Sequence, residues 1–318
     1  MTSLVIRPLV QHEARQLFTS LDDSLDDPGL VGRALLGRSY ESLADSGEYR
    51  PEWTWAALRE GKVVARAAFW AAPRATEPHL LDWFDFAPGE HEAAAQLLRE
   101  ATPRLEYELI LPPSWREDPA IRTAADARIS AAEAAGFRLL VERFRYSWTP
   151  DCGLPAQPGR LDFRPEPDDA VILDVLRRIE QGSLDGHAQQ AVAEGGVEQA
   201  AQEELDHFRW MSSPREWWRL AYTPEGEVVG LHVPGLVPSG PAAAFIGVVP
   251  EQRGHGYAYD LLADCTHHLA AEGAKTIAAS TDLGNTPMAA NFTKAGYPVI
   301  QHRYCMTPAA SPAGAPAA

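Results

Sequence analysis

Long hydrophobic runs are missing from this 318-residue chain. No window approaches about eighteen uninterrupted apolar residues, the length a membrane-spanning helix needs. The start, MTSLVIRPLVQHEARQLF, lacks the extended apolar stretch of a secretory signal. Cysteine is scarce: Cys152, Cys265 and Cys305 lie far apart, odd in number and without a CxxC pair. That excludes a disulfide scaffold or a zinc ribbon and predicts a reducing, cytoplasmic setting. The Cys265, His267, His268 cluster does not suit a metal, because adjacent histidines on a helix point about 100° apart, and no metal is expected. Positive charge is also short, with 28 Lys and Arg against 44 Asp and Glu, a net charge of −16. Nucleic acid and anionic membranes both require basic surface, so neither is an expected partner. A cationic or amine substrate suits the overall field.

What the chain does have is apolar material for two cores: 45% of residues are hydrophobic and 23% charged. Its length predicts two domains at roughly 150 residues each. The stretch TPDCGLPAQPGR reads as a linker and TPAASPAGAPAA as a disordered tail. The expected organisation is therefore a domain over 1–149, a linker over 150–160, a domain over 161–307 and a tail over 308–318.

The two halves resemble each other. EWTWAALREGKVVARAAFW and EWWRLAYTPEGEVVGLHVPG each read as strand, turn and strand, turning at Gly61 and Gly226. AAEAAGFRLLVERFRYSW and AANFTKAGYPVIQHRYCM each read as a helix ending at Gly136 or Gly296, then an aromatic, then a strand. The near-constant spacing between the paired glycines argues for one fold used twice. In the second half the pattern predicts helices near 168–181, 199–211, 256–271 and 287–294, and strands near 219–222, 228–233, 243–249, 275–280 and 299–305. The fold class is α/β, an α+β mixed sheet with helices on both faces.

The segment VVPEQRGHGYAYDLL carries the chemistry. An apolar strand ends, Gly254 and Gly256 follow within three residues, and a helix begins whose apolar face is Ala258, Leu261, Leu262, Cys265 and Leu269. The first amides of a helix have no helical partner, and the macrodipole adds about half a positive charge. Arg253 brings a full charge, and the glycines let a ligand approach the main chain. This is an anion cradle suited to a phosphate or pyrophosphate. It is neither a Rossmann GxGxxG, since position 259 is Tyr259, nor a P-loop, since GK[ST] is absent.

The string Arg253-Gly254-His255-Gly256-Tyr257-Ala258 resembles the R/Q-x-x-G-x-G/A motif of the GNAT N-acetyltransferase superfamily. The stretch from Asn285 through Phe292 to Gly296-Tyr297 resembles that family's later motif. The resemblance covers 161–307, and the whole chain is similar to tandem-GNAT proteins. It implies two GNAT-like domains, with acetyl-CoA (an acyl-CoA) as co-substrate lying between two splayed strands of the second. Backbone groups at Val248 and Val249 would pair with the pantetheine amides, and the amides from Arg253 through Gly254, His255, Gly256 and Tyr257 to Ala258 would hold the pyrophosphate. Asn285 would contact the pantetheine arm and Phe292 would line the channel. The first half departs from the motif. HLLDWFDF runs into APGEHEAAAQLL, with Gly89 beside Glu90 and Glu92 and no arginine, so carboxylates there would repel a diphosphate. That half reads as a degenerate domain.

Amine acetylation needs a base for the ammonium, donors for the oxyanion and an acid for the thiolate. The strand glutamate common in the family is absent from AAAFI, and its usual helix tyrosine is Phe292. Asp282 reads either as a base facing the cleft or as a turn or N-cap residue. Asp185, beside His187, reads either as an acceptor-site residue or as part of a solvated loop. His232 reads either as a cleft residue or as a satisfied strand histidine. Trp210, Trp217 and Trp218 read as core. The expected activity is acyl-CoA-dependent transfer, acetyl by default, to the amine of a small molecule such as an antibiotic, an amino-sugar or a biosynthetic intermediate. The alternatives are a donor thioester on an acyl carrier protein, or a non-catalytic acyl-CoA-binding regulator.

Overall fold

The structure, a computed structural model, describes residues 3–21 and 31–309. The chain divides into two compact units, one of Met1–Glu142 with Gln301–Ala318 and one of Arg143–Ile300.

Unit 1 begins with β1 (Leu4–Pro8), α1 (Ala14–Thr19) and α2 (Tyr40–Asp45). The hairpin of β2 (Thr54–Arg59) and β3 (Lys62–Trp70) follows, turning at Gly61 with φ of +77°. Then come β4 (Leu80–Phe86), α3 (His91–Glu100), β5 (Tyr107–Leu111) and α4 (Pro119–Ala134). Asp118 caps α4, accepting from the amides of Ala120 and Ile121. Gly136, at φ +86°, ends that helix and turns the chain into β6 (Phe137–Trp148).

Unit 2 contains β7 (Asp162–Pro165), α5 (Asp169–Glu180), α6 (Gly186–Trp210), β8 (Arg219–Tyr222), β9 (Val228–Val237), β10 (Gly240–Val248), α7 (Tyr257–Ala271), β11 (Ile277–Asp282) and α8 (Thr286–Lys294). The last strand is β12 (Val299–Pro308). The β8–β9 hairpin turns at Gly226 (φ +93°), and Gly296 (φ +81°) closes the segment after α8. All four glycines of the sequence repeat thus occupy left-handed backbone that a side chain would strain.

The strand order in unit 1 is β1-β2-β3-β4-β5-β12, and in unit 2 it is β6-β11-β10-β9-β8-β7. Each unit therefore takes one strand from the other half of the sequence. Residues 143–148 of β6 pair antiparallel with β11, from Arg143 opposite Asp282 to Trp148 opposite Ile277. Residues 302–306 of β12 pair antiparallel with β5, from His302 opposite Leu111 to Met306 opposite Tyr107. The domain limits differ accordingly from the expected 1–149 and 161–307. An alternating strand looks the same whichever neighbour it pairs with, so the exchange leaves no mark on hydrophobic pattern.

The cores follow the exchange. Met306 packs with Leu81, Leu109, Leu111 and Phe137 in unit 1, while Tyr146 and Trp148 pack with Phe292, Ile277 and Leu269 in unit 2. Trp217 and Trp218 are buried as expected, but Trp210 is exposed and stacks on His207. The expected tail does not start at 308, since Pro308 is in β12 and the amide of Ala309 donates to Gly136 O; the rest of that expected tail, 310–318, lies outside the described residues. Residues 150–160 include a short 3-10 turn, Pro150–Cys152. Cys152, Cys265 and Cys305 form no disulfide among the described residues. Among the described residues, no helix is long and apolar enough to cross a membrane.

Candidate active site

The site in unit 2 starts from a fault in the sheet. β9 carries Pro234 opposite Ala243, and proline has no amide to give a ladder. The register slips between Ala243 and Phe245, leaving Ala244 as a bulge. Gly235, opposite Ala242, lies close to the bulge, since a Cβ there would lie 2.7 Å from the Cβ of Ala244. Beyond the bulge, β10 parts from its parallel neighbour β11. The two strands pair at one position, Ala242 opposite Ala278, although β10 runs on to Val248 and β11 to Asp282. A cleft opens between them.

Amide direction alternates along a strand. The Val249 amide donates to Val229 O on β9, and its carbonyl accepts from Gln252. Ile246 and Val248 therefore direct their main-chain groups to the cleft edge, where the Val248 carbonyl is taken by Arg253 and the Val248 amide faces the cleft. This corrects the sequence expectation for Val249, whose main chain is already bonded within the protein.

The chain leaves β10 through a 3-10 turn, Pro250–Gln252. Gly254 and Gly256 then adopt φ of +85° and +75°. A Cβ on Gly254 would meet nothing within 4 Å, so that side of the loop is open. Gly256 is the N-cap of α7 and no side chain caps it, so the first-turn amides of Tyr257 and Ala258 are left to an external acceptor. Asp260 lies in that turn but is held by Arg160.

Arg253 does not point its charge into this loop. Its guanidinium donates to Ile179 O (2.8 Å), Gly182 O (3.0 Å), Gln181 O (3.2 Å) and Val248 O (3.1 Å). It closes the C-terminal end of α5 and ties that end to the rim of the cleft. The cation beside the loop is instead Arg160, which donates to His255 O (3.0 Å) and Gly256 O (3.3 Å) and lies over the Tyr257 ring at 4.9 Å. His255 stacks on Tyr257. Arg160 stood in the predicted linker, and no local pattern marked it.

A cavity of about 400 Å³ adjoins the cleft. Ala243 to Ile246 of β10 form one wall, and Ser280 and Thr281 of β11 with Asn285, Met288 and Phe292 form another. The roof comes from α5 and α6. Asp185 caps α6, accepting from the amides of His187 (3.0 Å) and Ala188 (3.1 Å). At Gly196 the backbone leaves helical geometry (φ +81°, ψ +167°). The kink lets both halves of α6 face the cavity, with Ala188 and Ala191 before it and Glu203, Glu204 and His207 after it. The sequence pattern places a helix only over 199–211 and misses the first half of α6.

The cavity wall is acidic. Glu180, Asp185, Glu203 and Glu204 line it, and Arg143 is the only Lys or Arg among the lining residues described. Arg143 is shared between Asp185 and Asp282, at 2.8 Å each. Glu180 is buried, and its Oε2 has no hydrogen-bond partner among the described residues. Burial and the nearby Asp185 charge raise its pKa to about 7, against the pull of Arg253. Burial, with Glu180 and Asp185 beside it, raises Glu204 to about 8. Asp282 is raised too, first by burial and then by Asp185.

The predicted residues thus part company. Asp185, Asn285 and Phe292 line the cavity. Asn285 also caps α8, its Oδ1 accepting from the Met288 amide, and Phe292 stacks on Tyr146 at 4.4 Å between ring centres. Asp282 sits behind the wall, holding Arg143 and the Gly186 amide. The expectation that His232 enters the cleft is corrected. It is fully buried, bonds Asp264 of α7 at 2.9 Å and packs against Phe163, because its β9 position faces α7 rather than the cavity. Glu180 and Glu204 were not singled out by sequence, since helix glutamates are common and only packing shows which ones are desolvated.

The sequence model described as the acetyltransferase (GNAT) family matches residues 187–297, spanning the α6 roof, the bulged β10, the glycine loop and α8. Unit 2 is therefore similar to a GNAT acetyltransferase domain. The GNAT fold also extends over the whole chain. A GCN5-related N-acetyltransferase from Sphaerobacter thermophilus is similar over 95% of this chain and 94% of its own, at 14% identity and a TM-score of 0.55. A tandem GNAT protein from the clavulanic acid biosynthesis pathway is similar over 98% and 100%, at 17% identity and a TM-score of 0.51. A glucosamine N-acetyltransferase region of a fungal multi-domain β-N-acetylglucosaminidase is similar over 96% of this chain and 38% of its own, at 14% identity and a TM-score of 0.54. No curated protein matches the sequence.

Unit 1 repeats the GNAT frame with different contents. β4 and β5 also pair in parallel at one position, Leu81 opposite Tyr107, and the register slips between Ala68 and Phe69 at Asp82. Asp82 is buried there, accepting from Arg33 (2.7 Å) and Tyr49 (2.6 Å). Phe18, Tyr40, Tyr49 and Trp83 pack as a neighbouring aromatic cluster. At the loop after β4, Glu90 stands at the N-cap of α3 and is paired with Arg59 at 2.7 Å. A carboxylate thus occupies the place where the glycine loop of unit 2 offers bare amides.

Proposed function

We propose that unit 2 is an acetyl-CoA-dependent N-acetyltransferase acting on the amine of a small molecule, and that unit 1 is a catalytically silent copy of the fold. The observation that carries the reading is the combination of a cleft between splayed β10 and β11 with an uncapped α7 preceded by two left-handed glycines. Acetyl-CoA supplies an acetyl thioester and an anionic diphosphate by which it is held. The amides of α7's first turn suit that diphosphate. The cleft-edge groups of Ile246 suit the pantetheine amides, and the amide of Val248, the residue whose carbonyl is held by Arg253, is the natural donor to the thioester oxygen. Asn285 and Phe292 border the arm. The acidic cavity beside it suits an ammonium.

The test is calorimetric titration with acetyl-CoA, CoA and acetyl-pantetheine, followed by a thiol-release assay over a panel of amines. Binding of acetyl-CoA well above acetyl-pantetheine, with amine-dependent thiol release, is the expected result. Equal binding of the two donors removes the diphosphate site. Binding without thiol release for any amine leaves an acyl-CoA-binding protein rather than an enzyme.

A further inference from the structure

We propose that the cavity of unit 2 takes an amine bearing a second cationic group, with Glu180 accepting the proton of the reacting ammonium and Glu204 holding the second charge. This rests on the acetyltransferase reading above and names its substrate class.

Charge balance carries the argument. Of the groups facing the cavity, Arg143 is already matched by Asp185 and by Asp282 behind it. Glu180, Glu203 and Glu204 remain, and no further lysine or arginine lines the space among the described residues. The unpartnered Oε2 of Glu180 is the second observation. A buried carboxylate oxygen without a donor is costly, and a ligand N–H would satisfy it. Both carboxylates hold a proton more readily than an ordinary glutamate, and a cation arriving beside them favours their charged forms. A monocation would answer one of them. A dication answers both.

Position assigns the two roles. Glu180 ends α5, next to the carbonyls of Ile179, Gln181 and Gly182 that hold Arg253, and Arg253 also holds Val248 O at the rim of the donor cleft. Glu180 is therefore tied to the reacting end. Glu204 follows the Gly196 kink, on the part of α6 that carries Ala200, Glu203 and His207. The charged groups around Glu180 are Asp185, His187, Glu203, Glu204 and His207 from α6 and its cap, Arg143 from β6, Asp282 from β11 and Arg253 from the loop before α7. β10 presents Ala243, Ala244, Phe245 and Ile246, none of which titrates.

The step balances within these parts. The ammonium gives one proton to the Glu180 carboxylate. The freed nitrogen forms a bond to the thioester carbonyl carbon and the carbon–sulfur bond breaks. Sulfur leaves as thiolate and takes the second nitrogen proton, so amide and CoA thiol form and Glu180 later returns its proton to water.

The test compares three acceptors of equal spacer length: an α,ω-diamine, the matching amino alcohol and the matching amino acid, at spacers of three to six carbons. The expected order of kcat/KM at the best spacer is diamine, alcohol, acid, with at least a tenfold lead for the diamine. Glu204→Gln is expected to bring the diamine-to-alcohol ratio towards one, mainly through KM of the diamine. Glu180→Gln is expected to lower kcat at least tenfold and to remove the acid limb of the kcat/KM profile near pH 7. Acetyl-CoA titration of each variant checks the fold and the donor site. Bound acetyl-CoA with no diamine preference in the unaltered protein overturns this inference alone. So does an unchanged ratio in Glu204→Gln, or an unmoved limb in Glu180→Gln. Failure of the unaltered protein to bind acetyl-CoA overturns the acetyltransferase reading and this one with it.

Discussion

Gly256→Val is the most direct test of the glycine loop. Gly256 sits at φ +75° as the N-cap of α7. A β-branched residue in left-handed backbone costs about 1–2 kcal/mol. A Cβ there would lie 3.8 Å from Arg160 Nη2, which is ordinary contact, so the penalty is conformational rather than steric. The loop either keeps its shape under that strain or returns to negative φ. In the second case the first-turn amides turn away from the diphosphate. Hydrogen bonds to a charged group are each worth about 1.5–3 kcal/mol, so losing even one weakens binding roughly tenfold or more, at about 1.4 kcal/mol per tenfold. Calorimetric titration should show acetyl-CoA and CoA affinity reduced at least about tenfold, with acetyl-pantetheine affected less. Gly256→Ala, without the β-branch, should fall between. Arg253→Ala should also weaken acetyl-CoA, but by loosening the end of α5 and so lowering the thermal midpoint as well. A folded Gly256→Val protein that binds acetyl-CoA as the unaltered protein does would refute the assignment of α7's first turn to the diphosphate.

Three further outcomes follow from the packing. His232→Ala should destabilise unit 2 by about 2–4 kcal/mol in denaturant titration, through the cavity it leaves and the loss of its bond to Asp264, while acetyl-CoA affinity holds. A large affinity loss would return His232 to the site. Asp82→Ala should cost unit 1 about 3–5 kcal/mol, because Arg33 and Tyr49 lose their buried partner, and acetyl-CoA titration should not register it. Glu180 and Glu204 have folded-state pKa values raised to about 7 and about 8. The folded protein then holds their protons more tightly than the unfolded chain. Their stabilising contribution is full below the ordinary carboxyl pKa, about 4.5, and is lost as pH rises through 7 to 8. The thermal midpoint should fall between pH 6 and pH 9, and the double Glu180→Gln, Glu204→Gln variant should show a shallower fall. An equal slope in that variant would contradict the raised pKa values of these groups.

Much of the frame was legible because glycine and periodicity are local signals. Gly61, Gly136, Gly226 and Gly296 all have positive φ, and the α7 face of Leu261, Leu262, Cys265 and Leu269 is buried as its spacing predicts. The loop from Arg253 to Ala258 was legible as a motif, although the Arg253 side chain serves the end of α5. The rest depended on distance in the chain. Arg160 reaches Asp260 a hundred positions away, and His232 meets Asp264 rather than the cavity. The acidity that marks the acceptor side is a property of desolvation at Glu180 and Glu204, and composition reports only how many glutamates there are. Likewise, the bulge at Ala244 came from Pro234 on the neighbouring strand, a pairing that neither segment discloses alone.

The crossed use of β6 and β12 has a consequence for how the polypeptide matures. Unit 2, closed by residues 143–300, has all its parts once the chain has been made that far. Unit 1 lacks the strand beside β5 until residues 302–306 arrive, after the whole of unit 2 has been made. Unit 1 therefore starts to emerge from the ribosome before unit 2 yet is completed after it, with β5 exposing an open edge in the interval. A gene cut in the middle would yield two fragments that are each one strand short.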